Sequence, residues 1–482
     1  MDLLLIITAL VLAALLIILA KRRTVIEALA VIAFGFVGCE TLAIALKVSA
    51  SGVYAPSVFF SVDALGAIVM LAIGVIGFAT TVYSVSYLRS ETAKNIVGFK
   101  RVKQYFVMLL LFAAAMLSAI SAASPIFAWI SLEATTLSTA FLISFYNKPA
   151  AIEAAWKYLI VNSVGLLLGF FGTMLYFTSL ETAGGSGFVS WSLLLANTPH
   201  FNRVVAKIAF VFVLIGYGTK VGLAPMHTWL PDAHSKAPAP ISAFLSGVLL
   251  NVALVIILRF KNITDASAGA TFSQNLLVLF GALSILFAAL IILTQKNYKR
   301  LIAYSSIENM GVMALGFGFG GQGVFAAILH MVYNALTKSA LFLAAGSLFL
   351  KYSSTKIAKV SGALTVLPVT SLIFLTGFLA ITGFPPFGIF LTKMLILSAG
   401  IKTHPLVTVL ALLLMTILFV GFFRHVVALI FGEKPAGIPA GEASIWTVIP
   451  PLVLMSLVGY LSFSIPPFLL ALIHQAALGY GR

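Results

Sequence analysis

The sequence predicts an all-α integral membrane protein, one bundle of about fourteen transmembrane helices that contains two inverted five-helix repeats and two interrupted helices, the seventh and the twelfth. Three observations predict it. Of 482 residues 61% are hydrophobic and only 9% charged, against roughly 25% charged residues in soluble domains. Apolar stretches of about 17–25 residues, the length that crosses a bilayer, recur along the whole chain with no polar interval large enough for a separate domain. Charged residues inside those stretches fall into two matched series.

Apolar runs bounded by charge, Gly/Pro and Asn/Asp clusters place the spans near 2–20, 24–47, 61–88, 104–122, 125–146, 152–178, 207–230, 238–260, 274–294, 299–319, 322–350, 363–400, 404–431 and 445–463. The first, MDLLLIITALVLAALLIILAKRR, has no basic residue before its apolar run, and the run exceeds a signal-peptide core, so it reads as a spanning helix. Asp63, near the start of the third, reads as a cap or interfacial anchor. The seventh span breaks at Pro225 and the twelfth at Pro385-Pro386.

Basic residues set the orientation. Loops after odd-numbered spans hold 17 of the 29 Lys and Arg residues, among them Lys21, Arg22, Arg23, Lys148, Lys236, Lys299 and Arg300. Loops after even-numbered spans hold about six, among them Arg259 and Lys261, which puts the odd loops in the cytoplasm and both termini outside. The net charge of +16 is therefore topogenic rather than a nucleic-acid footprint. Cys39 is the only cysteine, which excludes an internal disulfide and an iron–sulfur cluster ligated by this chain alone. Gly316, Gly318 and Gly321 match a dinucleotide pattern, but no strand precedes them, and without a Walker A sequence ATP does not drive this chain directly.

The internal repeat rests on polar residues. Ser131-Leu-Glu133 opens one series and Ser306-Ile-Glu308 the other; Lys220 follows Glu133 by 87 residues and Lys393 follows Glu308 by 85. Each lysine lies beside a proline break. Five helices separate the two units, an odd number, so the second is inverted. The chain divides into helices 1–3 (1–103), a first unit (104–260), a second unit (274–431) and a last helix with the C-terminus (445–482).

A charge in the membrane interior costs at least about 2.5–3.5 kcal/mol on insertion scales, which makes it functional by default. Lys220 is expected beside unpaired carbonyls and water at its break, with a structural ion pair or snorkelling to the interface as the alternative. Glu133 is its expected partner. At an effective dielectric near 20 a close Glu/Lys pair interacts by about 4 kcal/mol, about a thousandfold in a proton equilibrium, so moving the carboxylate gates the lysine. His330, Asn334 and Lys338 recur at i, i+4 and i+8 on one helix face and suggest a proton relay, or packing contacts. Lys393 is the expected terminal donor or acceptor. Lys157, near its helix end, suits snorkelling as well as function. His227, Asp232 and His234 make a weak metal set and suit proton exchange with the aqueous side better.

KVGLAPMHTWLPDAHSKAPAPISAFLSG, KRLIAYSSIENMG and TGFPPFGIFLTK resemble the antiporter-like subunits shared by respiratory complex I, multisubunit cation/proton antiporters and membrane-bound nickel–iron hydrogenases, and the resemblance covers nearly the whole chain. It implies fourteen helices with inverted units from the fourth to the eighth and the ninth to the thirteenth. The family's glutamate of the fifth helix falls on Glu133, its lysine of the broken seventh on Lys220, its histidine of the eleventh on His330, and its lysine of the broken twelfth on Lys393. Many members carry a lysine in the eighth helix where LSGVLLNVAL has Asn251, so a central relay here needs water, His330 or Lys338. Asn309 replaces a histidine of the usual phrase SSIxHMG.

SLEATTLSTAFLISFYNKPAAIEAAWKY is most similar to the F components of hydrogenase-4-type formate hydrogenlyases. The resemblance implies a proton-translocating subunit, without a catalytic residue or cofactor of its own, in a prokaryotic cytoplasmic membrane. Its implied partners are other membrane subunits, lipids, and peripheral subunits that carry iron–sulfur clusters and a nickel–iron (NiFe) centre, with formate dehydrogenase as a further candidate and no nucleic acid. A complex I subunit, a sodium/proton antiporter subunit, a solute carrier and a non-pumping membrane anchor are the alternatives.

Overall fold

The computed structural model describes residues 2–182 and 188–481. Helices dominate it: α1 (Asp2–Leu19), α2 (Arg23–Ser51), α3 (Ala64–Ala93), α4 (Phe99–Ser121), α5 (Pro125–Ile143), α6 (Pro149–Thr182), the short α7 (Trp191–Ala196), α8 (Arg203–Val221), α9 (Trp229–Lys236), α10 (Ala239–Phe244), α11 (Leu250–Ala268), α12 (Ala270–Ile292), α13 (Tyr298–Phe319), α14 (Gln322–Tyr352), α15 (Ala363–Val366), α16 (Pro368–Thr382), α17 (Gly388–Thr403), α18 (Pro405–Ile430), α19 (Ile449–Phe463) and α20 (Pro467–Tyr480). Two residues each of Val53–Tyr54 and Val62–Asp63 pair antiparallel ahead of α3. Among the described residues eleven helical segments are long and apolar enough to cross a membrane.

Burial sorts the helices. Residues 239–268 form one continuous inner helix, α10 and α11 joined through a π-helical turn at Leu245–Leu249. They pack beside α14, which also meets α3, α13, α16, α17, α19 and α20. His330, Asn334, Thr337 and Lys338 on α14 are all buried; a helix with that many polar groups is stable at this depth only when they face other helices. By contrast α18 leaves Leu406, Leu413, Val420 and Phe423 exposed, an apolar outer face suited to lipid rather than water.

Several boundaries differ from the sequence reading, each for a local reason. The seventh predicted span stops at Val221, because Gly222 adopts the left-handed conformation (φ +80°) that ends a helix before Pro225 is reached. The eighth runs on to Ala268, so Arg259 and Lys261, expected in a loop, are buried inside α11. Their charges are matched within the bundle, Arg259 by Asp63 at 3.3 Å and Lys261 by Asp265 at 2.5 Å. Asp63 also caps α3 through the Gly66 amide at 2.8 Å, and α20 adds an apolar helix beyond the last predicted span.

Small residues set the closest helix approach. A Cβ added to Gly216 of α8 would stand 2.2 Å from the Gly169 nitrogen and 2.7 Å from the Gly165 oxygen of α6, so the backbones touch there and leave no room for a side chain. Overpacking of this kind costs about 1–3 kcal/mol or more. Gly216→Val is therefore expected to lower the unfolding midpoint of the purified protein in detergent by several degrees, whereas Gly98→Val, at a position with nothing within 4 Å, leaves it unchanged. Equal midpoints for the two variants would contradict the packing described.

Candidate functional site

Lys220 occupies the last turn of α8, fully buried. Its ammonium donates to the Thr136 hydroxyl and to the Tyr158 hydroxyl, each at 2.8 Å. Glu133 is not its direct partner, contrary to expectation. The half-buried carboxylate instead accepts from Ser163 at 2.7 Å and lies 3.4 Å from Thr136 Oγ1. The reason is helical spacing: Glu133 and Thr136 are three apart on α5 and share a face, so the shorter threonine reaches the ammonium and stands between lysine and carboxylate. The sequence reading missed Thr136, Tyr158 and Ser163; the i+3 relation to Glu133 was the available signal for the first.

The helix break beside Lys220 is closed by protein groups rather than left open. Gly222 N donates to Gly218 and Thr219 carbonyls, Leu223 N donates to Gly218, and the Trp229 indole donates to Thr219 at 2.8 Å. Ala224 N is held by Ser284 of α12 at 2.9 Å. Trp229 also meets the Tyr158 ring edge to face, centroids 5.0 Å apart. The first residue of α9 thus fixes one of the two hydroxyls that hold the ammonium.

Around Lys393 the same residue types are arranged differently. Lys393 and Glu308 form a buried ion pair at 2.7 Å. The ammonium also lies 3.3 and 3.4 Å from the Ile381 and Thr382 carbonyls at the end of α16, where a helix C-terminus favours a cation. Gly383, with φ +84°, ends α16 just before the proline pair. The other carboxylate oxygen of Glu308 accepts from Asn309 at 2.5 Å, and Asn309 Oδ1 lies 3.0 Å from His330 Nε2.

An amide oxygen only accepts, so His330 Nε2 carries a proton. His330 Nδ1 lies 2.9 Å from Thr392 Oγ1, which can otherwise donate to Ile389. Rotation of that one hydroxyl serves either state: Thr392 donates to a neutral ring, or turns to Ile389 and accepts from an imidazolium. Asn309, expected only as a missing histidine, therefore joins Glu308 to His330.

Lys338 and a set of further polar atoms are also buried inside the bundle. Lys338 donates to Ser305 and, at 3.1 Å, to the Ile302 carbonyl of α13. Both amide atoms of Asn334, both ring nitrogens of His234, Thr337 Oγ1 and Asn251 Oδ1 are buried without a hydrogen-bond partner among the described residues. Each such group costs about 1–3 kcal/mol unless water reaches it. His234 stacks on Phe342, one turn beyond Lys338. Ser305, which accepts from Lys338, lines one small cavity with Glu308 and Lys393.

Three expected residues, Lys157, Asp232 and His227, stand apart. Lys157 is half-exposed and pairs with Glu153 at 2.6 Å and with Asp232 at 3.7 Å, an ion pair at the aqueous edge, because its turn of α6 faces outward. Asp232 bonds Arg300 at 2.6 Å and not the histidines. His227 lies against Phe287, with ring centroids 5.6 Å apart. Among the described residues no three His, Cys, Asp or Glu side chains gather closely enough to hold a metal ion.

The two lysine sites differ in what a lost carboxylate costs. Removing one partner of a buried ion pair leaves a bare charge and costs about 3–5 kcal/mol. Exchanging Glu133 for glutamine keeps an acceptor for Ser163 and alters a hydrogen bond worth about 1.5–3 kcal/mol at most. Glu308→Gln is thus expected to lower the thermal midpoint in detergent well beyond Glu133→Gln. The opposite order would refute the assignment of a formed pair at Lys393 and a bridged one at Lys220.

Residues 122–419, which contain all of these groups, match the family model described as NADH:quinone oxidoreductase/Mrp antiporter, transmembrane. The chain is 40% identical over 393 residues to a hydrogenase-4 component F homolog of Methylacidiphilum infernorum, covering 81% of each chain. It is 30% identical over 407 residues to a Na(+)/H(+) antiporter subunit A1 of Staphylococcus epidermidis, covering 78% of this chain and 49% of that one. Its fold matches a chain of the archaeal membrane-bound sulfane sulfur reductase, a respiratory membrane complex, with a TM-score of 0.87, 24% identity, and coverage of 99% and 97%; at that identity the likeness speaks for the fold alone. The chain belongs to the transmembrane antiporter-like family of NADH:quinone oxidoreductases and Mrp antiporters.

Proposed function

We propose that this chain is a proton-translocating subunit of a redox-driven membrane complex, of the hydrogenase type that couples oxidation of formate or ferredoxin to hydrogen evolution. The observation that carries the reading is the set of titratable groups inside the bundle: Lys220 with Glu133 one hydroxyl away, the buried Lys338, and His330, Glu308 and Lys393 joined to one another through Asn309 and an ion pair. Similarity to the hydrogenase-4 component F homolog supports the hydrogenase type. The expected partners hold the iron–sulfur clusters and the NiFe centre, and formate dehydrogenase is the further candidate. The proposed frame is fourteen spans with two inverted units, 104–260 and 274–431, and both termini on the outer face of a prokaryotic cytoplasmic membrane.

The proposed mechanism follows from the two lysine environments. At Lys393 the carboxylate touches the ammonium; at Lys220 a threonine separates them. If Glu133 displaces Thr136, the ammonium gains a counter-charge; if Glu308 turns to Asn309 alone, the other lysine loses one. A close pair is worth about 4 kcal/mol at an effective dielectric near 20, while moving one proton against 100 mV costs about 2.3 kcal/mol. Alternation of one such pair is therefore of sufficient size to drive a proton, and its energy comes from a partner that favours one arrangement. His330 is a further proton station: its Nδ1 takes a proton when Thr392 turns to the Ile389 carbonyl, and water completes its connection to the lysines.

A sodium/proton antiporter subunit is the second reading, favoured by the 30% identity to the A1 subunit. Lysines and a histidine along the axis fit protons better than sodium, which takes carboxylate and carbonyl oxygens. Lys220→Ala is expected to abolish redox-driven acidification of sealed vesicles while the complex still assembles; unchanged acidification overturns the reading. Mass spectrometry of the complex extracted gently from its native membrane is expected to find nickel–iron and iron–sulfur subunits. NADH-oxidising subunits, or antiporter chains alone, would move the same axis to the alternative complexes.

A further inference from the structure

Glu91 lies in the last turn of α3, outside the two repeat units, and is fully buried. Tyr146, just beyond α5, donates to its carboxylate at 2.6 Å, and Tyr87 lies 2.9 Å from Tyr146, hydroxyl to hydroxyl. Tyr146 has one hydroxyl proton, and that proton is committed to Glu91, so Tyr87 donates to Tyr146. The three groups form a hydrogen-bonded wire with one direction, toward the carboxylate. The second carboxylate oxygen is buried without a hydrogen-bond partner among the described residues.

Both tyrosines of this wire line a cavity of 230 Å³, together with Lys148, Lys236, Lys299 and Thr355. A volume of this size holds several waters, each needing about 30 Å³. Lys148 and Lys236, the latter at the end of α9, are exposed at its edge, and the distribution of basic residues puts this side of the bundle in the cytoplasm. Lys299, expected in a loop, is buried at the start of α13 and donates to the Ala237 carbonyl at 2.5 Å. It lines the same cavity as the two tyrosines, and Ala237 directly follows α9, the helix that carries His234, whose ring stacks on Phe342 one turn beyond Lys338. Glu91 thus stands at the head of a succession, Glu91, Lys299, His234 and Lys338, that ends on the buried axis.

We infer that Tyr87, Tyr146 and Glu91 form a proton-intake port, which takes protons from water in this cavity and feeds the axis through Lys299 and His234. The inference rests on the proton-translocation reading. In the intake step a hydronium ion in the cavity gives a proton to the Tyr87 oxygen, Tyr87 passes its own to Tyr146, and Tyr146 passes its own to Glu91. Both tyrosines end with one proton each, the hydronium becomes water, and the carboxylate becomes a carboxylic acid. A carboxylate held only as a structural anchor needs neither a directed wire nor a cavity beside it.

The test uses the intact complex in sealed inverted vesicles, driven by its own redox substrate, with an internal pH dye. Glu91→Gln is expected to slow acidification at least tenfold, Tyr146→Phe at least threefold, and Glu91→Asp to keep more than half the rate. The solvent deuterium effect on acidification is expected to rise in Tyr146→Phe, because entry becomes the slow step; loss of a mere packing contact would leave it unchanged. Where Glu91→Gln fails to assemble, Tyr146→Phe, which keeps the ring, decides. Wild-type rates in Glu91→Gln and Tyr146→Phe beside an inactive Lys220→Ala overturn the port and leave the axis standing, and wild-type vesicles that do not acidify overturn both.

Discussion

A lysine ammonium buried at bilayer depth with hydroxyls in place of a counter-ion is the constraint around which the rest of this structure is arranged. Lys220 is tolerable there because two hydroxyls accept from it and because a carboxylate stands one side chain further off. That arrangement needs a helix that stops, since a continued α8 would leave no end beside the lysine. Gly222 stops it, and Trp229 and Ser284 take up backbone groups released by the break. The tight α6 and α8 contact through Gly169 and Gly216 then holds Tyr158 and Lys220 in register. Stability and the polar site are built from the same contacts.

Lys393 shows what the same residue types do when the carboxylate arrives. There the pair is closed, the end of α16 adds two carbonyls, and Asn309 carries the carboxylate's second oxygen to His330. Buried pairs of this sort contribute little net stability against an apolar alternative. The two centres stand in different states in this structure, bridged by a threonine at Lys220 and closed at Lys393. Elsewhere in the bundle, buried atoms of Asn334 and His234 have no hydrogen-bond partner among the described residues, and water would satisfy them.

Much of this was legible in the sequence, for reasons particular residues make plain. Lysines inside apolar runs cannot be hidden, so Lys220, Lys338 and Lys393 were visible, and the 85-residue interval from Glu308 to Lys393 marked a pair that the fold closes. The similar 87-residue interval from Glu133 to Lys220 marks no direct pair, because spacing along the chain does not reveal that a threonine one turn away intercepts the ammonium. Arg259, Lys261 and Lys299 read from hydropathy as loop charges; all three are buried, the first two beside Asp63 and Asp265 and the third against the Ala237 carbonyl, and a hydropathy window cannot see such partners. Glu91 was hidden for the same reason, since Arg89 ended the third apolar run two residues before it, although α3 continues to Ala93.

The central claim is that the two lysine–carboxylate centres exchange protons by opening and closing in opposition. Nitrogen-15 spectra of lysine side chains in the complex, reconstituted in vesicles and assigned through Lys220→Arg and Lys393→Arg, test it most directly. Under redox turnover or an imposed proton gradient, the Lys220 and Lys393 signals are predicted to move between ammonium and amine positions in opposite directions. Signals that both stay at the ammonium position, while the complex continues to acidify the vesicles, would contradict the account.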